Sequence, residues 1–237
     1  LSTESKETAG DPVVKTYTYD AASRRLGETV SGGALSLSSS MTYDAAGRVL
    51  TSTDQAGLIT GYAYSADGLT TTVTLPGGAT EITTKYIDGR LKSVTGTAVV
   101  AQYYTYGYNA DGTQWTQVNS GSASSPVWEK TTTDVLGRTI KVETPGYSGT
   151  ETTQNYYNAL GQLEKSTTTG LADTMYEYDS LGRQFRSGLD INHNGTLDLA
   201  STDRISESET LYQYLNSQWW QQTTQSVYAT LNNSTTT

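Results

Sequence analysis

Between Asp190 and Asp198 the chain reads Asp190-Ile191-Asn192-His193-Asn194-Gly195-Thr196-Leu197-Asp198, and Asp203 follows shortly after. Side-chain oxygens at positions 1, 3 and 5, glycine at 6, a main-chain carbonyl at 7 and a further oxygen at 9 form the opening of a calcium loop. Asp190, Asn192, Asn194 and Asp198 would supply side-chain oxygens and Thr196 its carbonyl. Alternate residues of a tight loop point inward, and glycine permits the sharp bend that brings them together. Ser201 stands at position 12, where an EF-hand carries a bidentate glutamate, so Asp203 is the expected substitute ligand. The expected cofactor is Ca2+ in a structural role, because an ordered loop of this length is entropically costly unless something staples it.

No comparable constellation for catalysis occurs. There is no Cys and a single histidine, His193, at a loop position turned away from the ion. A nucleophile needs an adjacent base, and no Gly-x-Ser-x-Gly segment is present. No catalytic residue and no reaction are expected.

The elements that must hold this loop show up as an internal repeat. A phrase of the form Tyr-(Asp/Asn)-x-x-Gly-(Arg) recurs along the chain, with its glycine position at Ser23, Gly47, Gly68, Gly89, Gly112, Gly137, Gly161 and Gly182. Successive steps are 24, 21, 21, 23, 25, 24 and 21 residues. Aspartate at the head of the phrase (Asp20, Asp44, Asp134, Asp179) accepts from the backbone two residues on, and glycine at its end takes a positive φ. Each phrase is therefore the tip of a hairpin. Tyrosines spaced by two before the tips (Tyr17/Tyr19, Tyr62/Tyr64, Tyr176/Tyr178) share one strand face. Breakers such as Ser31-Gly32-Gly33, Pro76-Gly77-Gly78, Ser120-Gly121-Ser122 and Pro145-Gly146 mark the return loops. From Gly182 to a degenerate Tyr214-Leu215-Asn216-Ser217 the step stretches to 35 residues, and the excess is the calcium-type loop between two strands.

These phrases resemble the RHS/YD-repeat family, in which Tyr-Asp-x-x-Gly-Arg-Leu repeats build a long spiralling β-sheet. Tyr43 to Leu50 and Tyr178 to Phe185 are the nearest copies. Departures are Ser23 for the turn glycine, Thr133 for the tyrosine, and no arginine after Gly68, Gly112 and Gly161. The resemblance implies an all-β fold of stacked hairpins, a segment of a hollow bacterial shell that encloses a toxin domain or other cargo, or a role in cell adhesion. It places the chain outside the cell, secreted or on a bacterial surface. The self-cleaving Asp-Pro-x-Gly segment of many bacterial members does not map here, since Asp11-Pro12 is followed by Val13-Val14. The expected organisation is a leading segment of a longer polypeptide (1–13), an array of about eight hairpin units (14–188), the loop insertion (189–204), and a degenerate ninth repeat opening a further unit (205–237).

Composition agrees with an all-β chain. Of 237 residues, 42 are Thr, 25 Ser, 23 Gly and 18 Tyr, with one Phe, so half-buried strands are favoured over helices or a large aliphatic core. A net charge of -9 argues against nucleic acid as partner. No apolar stretch is long enough for a membrane span. Trp219 and Trp220, on opposite faces of a strand, are candidate surface contacts, so a glycan or cell-surface receptor is an alternative partner. Self-association through open sheet edges is a third.

Overall fold

The computed structural model describes residues 2–6, 13–230 and 233–236, with side chains described over 13–228. Asp11-Pro12 and most of the expected leading segment lie outside the described residues. Every regular element among those described is a β-strand, and none is a helix long and apolar enough to cross a membrane.

Two compact units are delimited, Leu1–Thr105 with Asn119–Ser125, and Tyr106–Val118 with Pro126–Thr237. The first contains β1 (Ser2–Lys6), β2 (Val13–Tyr19), β3 (Arg25–Gly32), β4 (Leu35–Tyr43), β5 (Val49–Thr53), β6 (Ile59–Tyr64), β7 (Thr70–Thr74), β8 (Thr80–Lys85) and β9 (Leu91–Thr95). β10 (Gln102–Tyr108) and β11 (Gln114–Ser120) are divided between the two. The second contains β12 (Trp128–Thr133), β13 (Thr139–Gly146), β14 (Gly149–Tyr157), β15 (Leu163–Thr168), β16 (Asp173–Tyr178), β17 (Gln184–Asp190), β18 (Arg204–Leu215), β19 (Gln218–Thr230) and β20 (Asn233–Thr236). Within each unit the strands pair antiparallel with their sequence neighbours, from β1–β2 to β8–β9 and from β12–β13 to β19–β20. The fold is thus a meander of stacked hairpins, all-β as expected. Val14 opens the array inside β2, one strand after β1, so Ser2–Lys6 already pairs with the repeat.

The packing has almost no aliphatic interior. Among the described residues the buried hydrophobics are Leu197, within the 190–203 loop, and Ile205, just after it. Elsewhere the strands are half-buried, and stability comes from each hairpin's contact with its neighbours, as in other quasi-one-dimensional arrays.

Register is constant beneath the tips. With Tyr19, Tyr43, Tyr64, Lys85, Thr133, Tyr157 and Tyr178 as the tip positions, the residue before each pairs with the residue eight past it: Thr18↔Gly27, Thr42↔Thr51, Ala63↔Thr72, Thr84↔Ser93, Thr132↔Lys141, Tyr156↔Lys165 and Glu177↔Arg186. In six of these seven hairpins a β-bulge follows the tip, and the extra residues are Leu26, Leu50, Lys92, Ile140, Glu164 and Phe185. At Ser65–Thr70 no bulge forms, because the loop itself is one residue longer, with the Ser65 N–H bonded to the Thr70 carbonyl. Tyrosines therefore stay on one face although unit lengths vary.

Candidate functional site

The tips repeat one geometry. In the Asp44 tip, the Asp44 N–H donates to the Arg48 carbonyl and the Gly47 N–H to the Asp44 carbonyl, a type I turn closed by a left-handed residue. The Asp44 carboxylate accepts from the Ala46 and Arg48 amides, both at 2.9 Å, and from the Arg48 Nε at 2.7 Å. Asp20, Asp134 and Asp179 do the same. Asn158 keeps the two amide bonds and exchanges the ion pair for a bond from its Nδ2 to Gln162 Oε1. The main-chain amide of the following arginine leads in holding the Asp20, Asp44 and Asp179 carboxyls below the ordinary 3.8. Side-chain donors Ser65, Arg90 and Thr113 lead at Asp67, Asp88 and Asp111. Burial pushes Asp134 up, and its hydrogen bonds from Arg138 and Leu136 outweigh that.

All eight turn positions have positive φ, from Gly68 at 73° to Gly89 at 86°, with Ser23 at 63°. A serine held there carries the left-handed penalty that glycine avoids, and Ser23→Gly is expected to stabilise the first hairpin by about 1 kcal/mol. Urea unfolding of the two proteins checks this, and an unchanged midpoint would contradict it. Asp54-Gln55-Ala56-Gly57, a return loop outside the tyrosine-headed phrase, has the same design: its carboxylate accepts from Ala56 and Leu58, and Gly57 has φ 79°.

Successive tips are stitched together in a way that the sequence did not suggest. The Tyr43 hydroxyl donates to the Arg25 carbonyl at 2.7 Å, and Tyr64 to Val49, Tyr157 to Thr139 and Tyr178 to Leu163 at 2.8 to 2.9 Å. Each acceptor is the residue just before the bulged one, where the ladder to the next hairpin has stopped. The arginines pair within their own tip and lay their guanidinium over the following tip's ring, Arg24 on Tyr43 (4.8 Å), Arg48 on Tyr64 (4.3 Å) and Arg138 on Tyr157 (4.5 Å). Arg24 and Arg138 also reach within 3.4 Å of where a Cβ on Gly47 or Gly161 would sit, so the tips of each unit share a rim.

The 190–203 loop is ordered by carboxylates. Asp190 is 1% exposed, its two oxygens accepting from the Asn194 and Gly195 amides at 3.1 and 2.7 Å. Asn192 Oδ1 accepts from the Asn194 amide, and Asn194 Oδ1 from the Thr196 amide and hydroxyl. Asp198 Oδ2 accepts from Asn194 Nδ2 and the Thr196 hydroxyl. His193 is exposed with φ 56°, and Gly195 has φ 82°. Asp203, 2% exposed, ties the two ends of the loop, accepting from the Ile191 amide at 2.9 Å and the Asp198 amide at 3.0 Å. Burial pushes its carboxyl up, but the Asp198 amide, the Ser201 hydroxyl and the Ile191 and Asn192 amides hold it below the usual value. Among the described residues no three His, Cys, Asp or Glu side chains gather in metal-holding geometry. A cation here would therefore need the amide oxygens of Asn192 and Asn194 and main-chain carbonyls beside the Asp190 and Asp198 carboxylates, an all-oxygen set that suits a hard ion.

Beyond the loop, β18 and β19 form a long hairpin closed by Asn216 and Ser217, with φ 51° and 63°. This two-residue turn differs from the other tips and carries no Asp, Gly or Arg. Trp219 and Trp220 are 74% and 55% exposed; Trp219 packs on its cross-strand partner Tyr214, with ring centroids 5.3 Å apart. Trp220 Nε1 donates to the Leu215 carbonyl.

Fold and rim define a protein of stacked, stitched β-hairpin repeats. Residues 43–80, which contain the Asp44 tip and its successor, match the family model described as RHS Repeat. No curated protein matches the chain. Among solved structures, it is similar to TcdB2-TccC3 without its hypervariable C-terminal region, at 16% identity and TM-score 0.45, covering 95% of this chain and 12% of that one. It is also similar to the Photorhabdus luminescens Tc holotoxin pore, at 14% identity and TM-score 0.41, covering 95% of this chain and 15% of that one. A porin-like protein from Bacteroides uniformis aligns at 14% identity and TM-score 0.24, over 99% of this chain and 95% of that one. The chain spans only a small part of the first two.

Proposed function

We propose that this chain is a structural wall segment of a larger, secreted or cell-surface RHS-type polypeptide, bacterial in origin, whose shell encloses a toxin domain or other cargo. The observation that carries the reading is the junction, repeated at Tyr43, Tyr64, Tyr157 and Tyr178, in which a tip tyrosine caps the carbonyl before the preceding hairpin's bulge, together with the RHS repeat at 43–80. Such a junction passes load from hairpin to hairpin without needing a closed core, and no reaction is assigned to it. In the full-length polypeptide, an enclosed domain is expected to resist added protease and to be digested once residues 43–63, one repeat, are excised. Equal digestion before and after excision would overturn the container reading.

Exposed Trp219, Trp220, Tyr212 and Tyr214 on the β18–β19 hairpin favour one second reading, an adhesion module for glycans or a cell-surface receptor. A glycan array with the isolated segment tests it, and silence at millimolar ligand removes it.

The 190–203 loop is proposed as a structural calcium site, with Asp190, Asn192, Asn194 and Asp198 giving side-chain oxygens, Thr196 its carbonyl, and Asp203 either a further ligand or the clamp behind the others. Added calcium is expected to raise the melting temperature and EDTA to reverse the gain, with Asp190→Ala abolishing the response. Identical melting with and without calcium in the unmodified chain would exclude the site.

A further inference from the structure

The stitch is missing at the junction of β17 with β18, and a cavity opens there. In four junctions the capping tyrosine lies three residues past the partner of the residue that follows the bulge. Ser40↔Gly27 leads to Tyr43, Gly61↔Thr51 to Tyr64, Gln154↔Lys141 to Tyr157 and Met175↔Lys165 to Tyr178. The same count from Glu207↔Arg186 arrives at Thr210. A threonine is too short to reach the Gln184 carbonyl, which stands where Arg25, Val49, Thr139 and Leu163 accept a tyrosine hydroxyl. Among the described residues, no side chain donates to that carbonyl and no aromatic ring lies under Arg183, whose guanidinium pairs only with Asp179. A cavity of about 470 Å³ occupies this place, lined by Asp179, Arg183, Gln184, Phe185, Thr210 and Tyr228 among others.

We infer that this cavity is a binding site for a para-substituted phenol. Two of its parts hold a tyrosine elsewhere in the same chain, a cation to cover the ring face and a carbonyl just before the bulge to accept the hydroxyl, and Phe185 adds an apolar wall beside them. The occupant is either a free phenol or a tyrosine displayed on a polypeptide, and the chemistry recognised is the same.

The test titrates p-cresol into the isotopically labelled 237-residue chain and follows the amide signals of Gln184, Phe185 and Thr210 by NMR. Saturable shifts at these residues are expected, with toluene about tenfold weaker because it has no hydroxyl to donate. Thr210→Tyr fills the site from within and is expected to abolish the shifts. Arg183→Leu, at a half-exposed position that tolerates change, is expected to weaken p-cresol binding several-fold, and it decides the matter should the first variant not fold. A peptide Tyr-Asp-Ala-Ala-Gly-Arg that binds about tenfold more tightly than p-cresol assigns the site to a polypeptide tyrosine; equal or weaker binding assigns it to free phenols. The inference is overturned by the absence of saturable shifts, by p-cresol shifts that persist in Thr210→Tyr, or by unaltered affinity in Arg183→Leu.

Discussion

Asp203→Ala is expected to lower stability by about 3 kcal/mol, because it takes a buried acceptor from part-buried main-chain donors and opens a void in the tightest part of the molecule. The carboxylate is 2% exposed and joins the Ile191 and Asp198 amides across the loop, next to Ile205 and Leu197. At roughly 2–4 °C per kcal/mol for a chain of this size, the melting temperature should fall by about 6–12 °C. Since arrays of repeats lose structure locally, the loss should register first as faster hydrogen exchange at the Ile191 and Asp198 amides, with distant hairpins unaffected. Asp203→Asn keeps one acceptor and should fall between the two. Melting of Asp203→Ala indistinguishable from the parent would mean that the loop is held some other way.

The second large effect is loss of stability in acid. Asp20, Asp44, Asp67, Asp88, Asp111, Asp134, Asp179 and Asp203 all have folded-state values below the ordinary 3.8. A carboxyl whose value is lowered by folding contributes stability that is fully present above the unfolded value and is lost as pH falls through the folded one. Melting temperature should therefore be level at neutral pH and drop steeply below about pH 4. Asn158 shows that a neutral head group supports the same turn, with its Oδ1 accepting the Leu160 and Gln162 amides. Replacing Asp44, Asp134 and Asp179 together by Asn should accordingly preserve the fold while flattening the acid slope. An unaltered slope in that triple variant would show that acid acts elsewhere.

Much of this architecture was legible in the residues. The period of the Tyr-Asp-x-x-Gly phrase located every tip, because a left-handed turn residue and a carboxylate cap are local demands met within five residues. Tyrosines spaced by two announced a shared face for the same reason. The bulges stayed hidden, since Leu26, Leu50, Ile140 and Phe185 look like ordinary face residues and only pairing with the opposite strand reveals the extra position. The tyrosine-to-carbonyl stitch depends on contacts 15 to 18 residues apart, beyond what a phrase can encode. Asp54 heads the same Asp-x-x-Gly turn, but Thr53 stands where the phrase has tyrosine, so the phrase does not mark it. In the calcium-type loop, residue spacing pointed to oxygen ligands, whereas the burial of Asp190 and Asp203, shared with Leu197 and Ile205, is a tertiary property that spacing does not encode.

The bulge after each tip also sets what kinds of length change such a gene can absorb. In a flat strand, one added or lost codon turns every later side chain over to the wrong side. Here the odd residue is already accommodated, as a bulge in most hairpins and as a longer loop at Ser65–Thr70, with the pairing below unchanged. Mutational drift in length can thus move between kink and loop without scrambling the sheet, and whole units can be duplicated or lost as modules. A lineage built this way can resize itself by copying, while single-codon slips between bulge and return loop remain the changes that selection must remove.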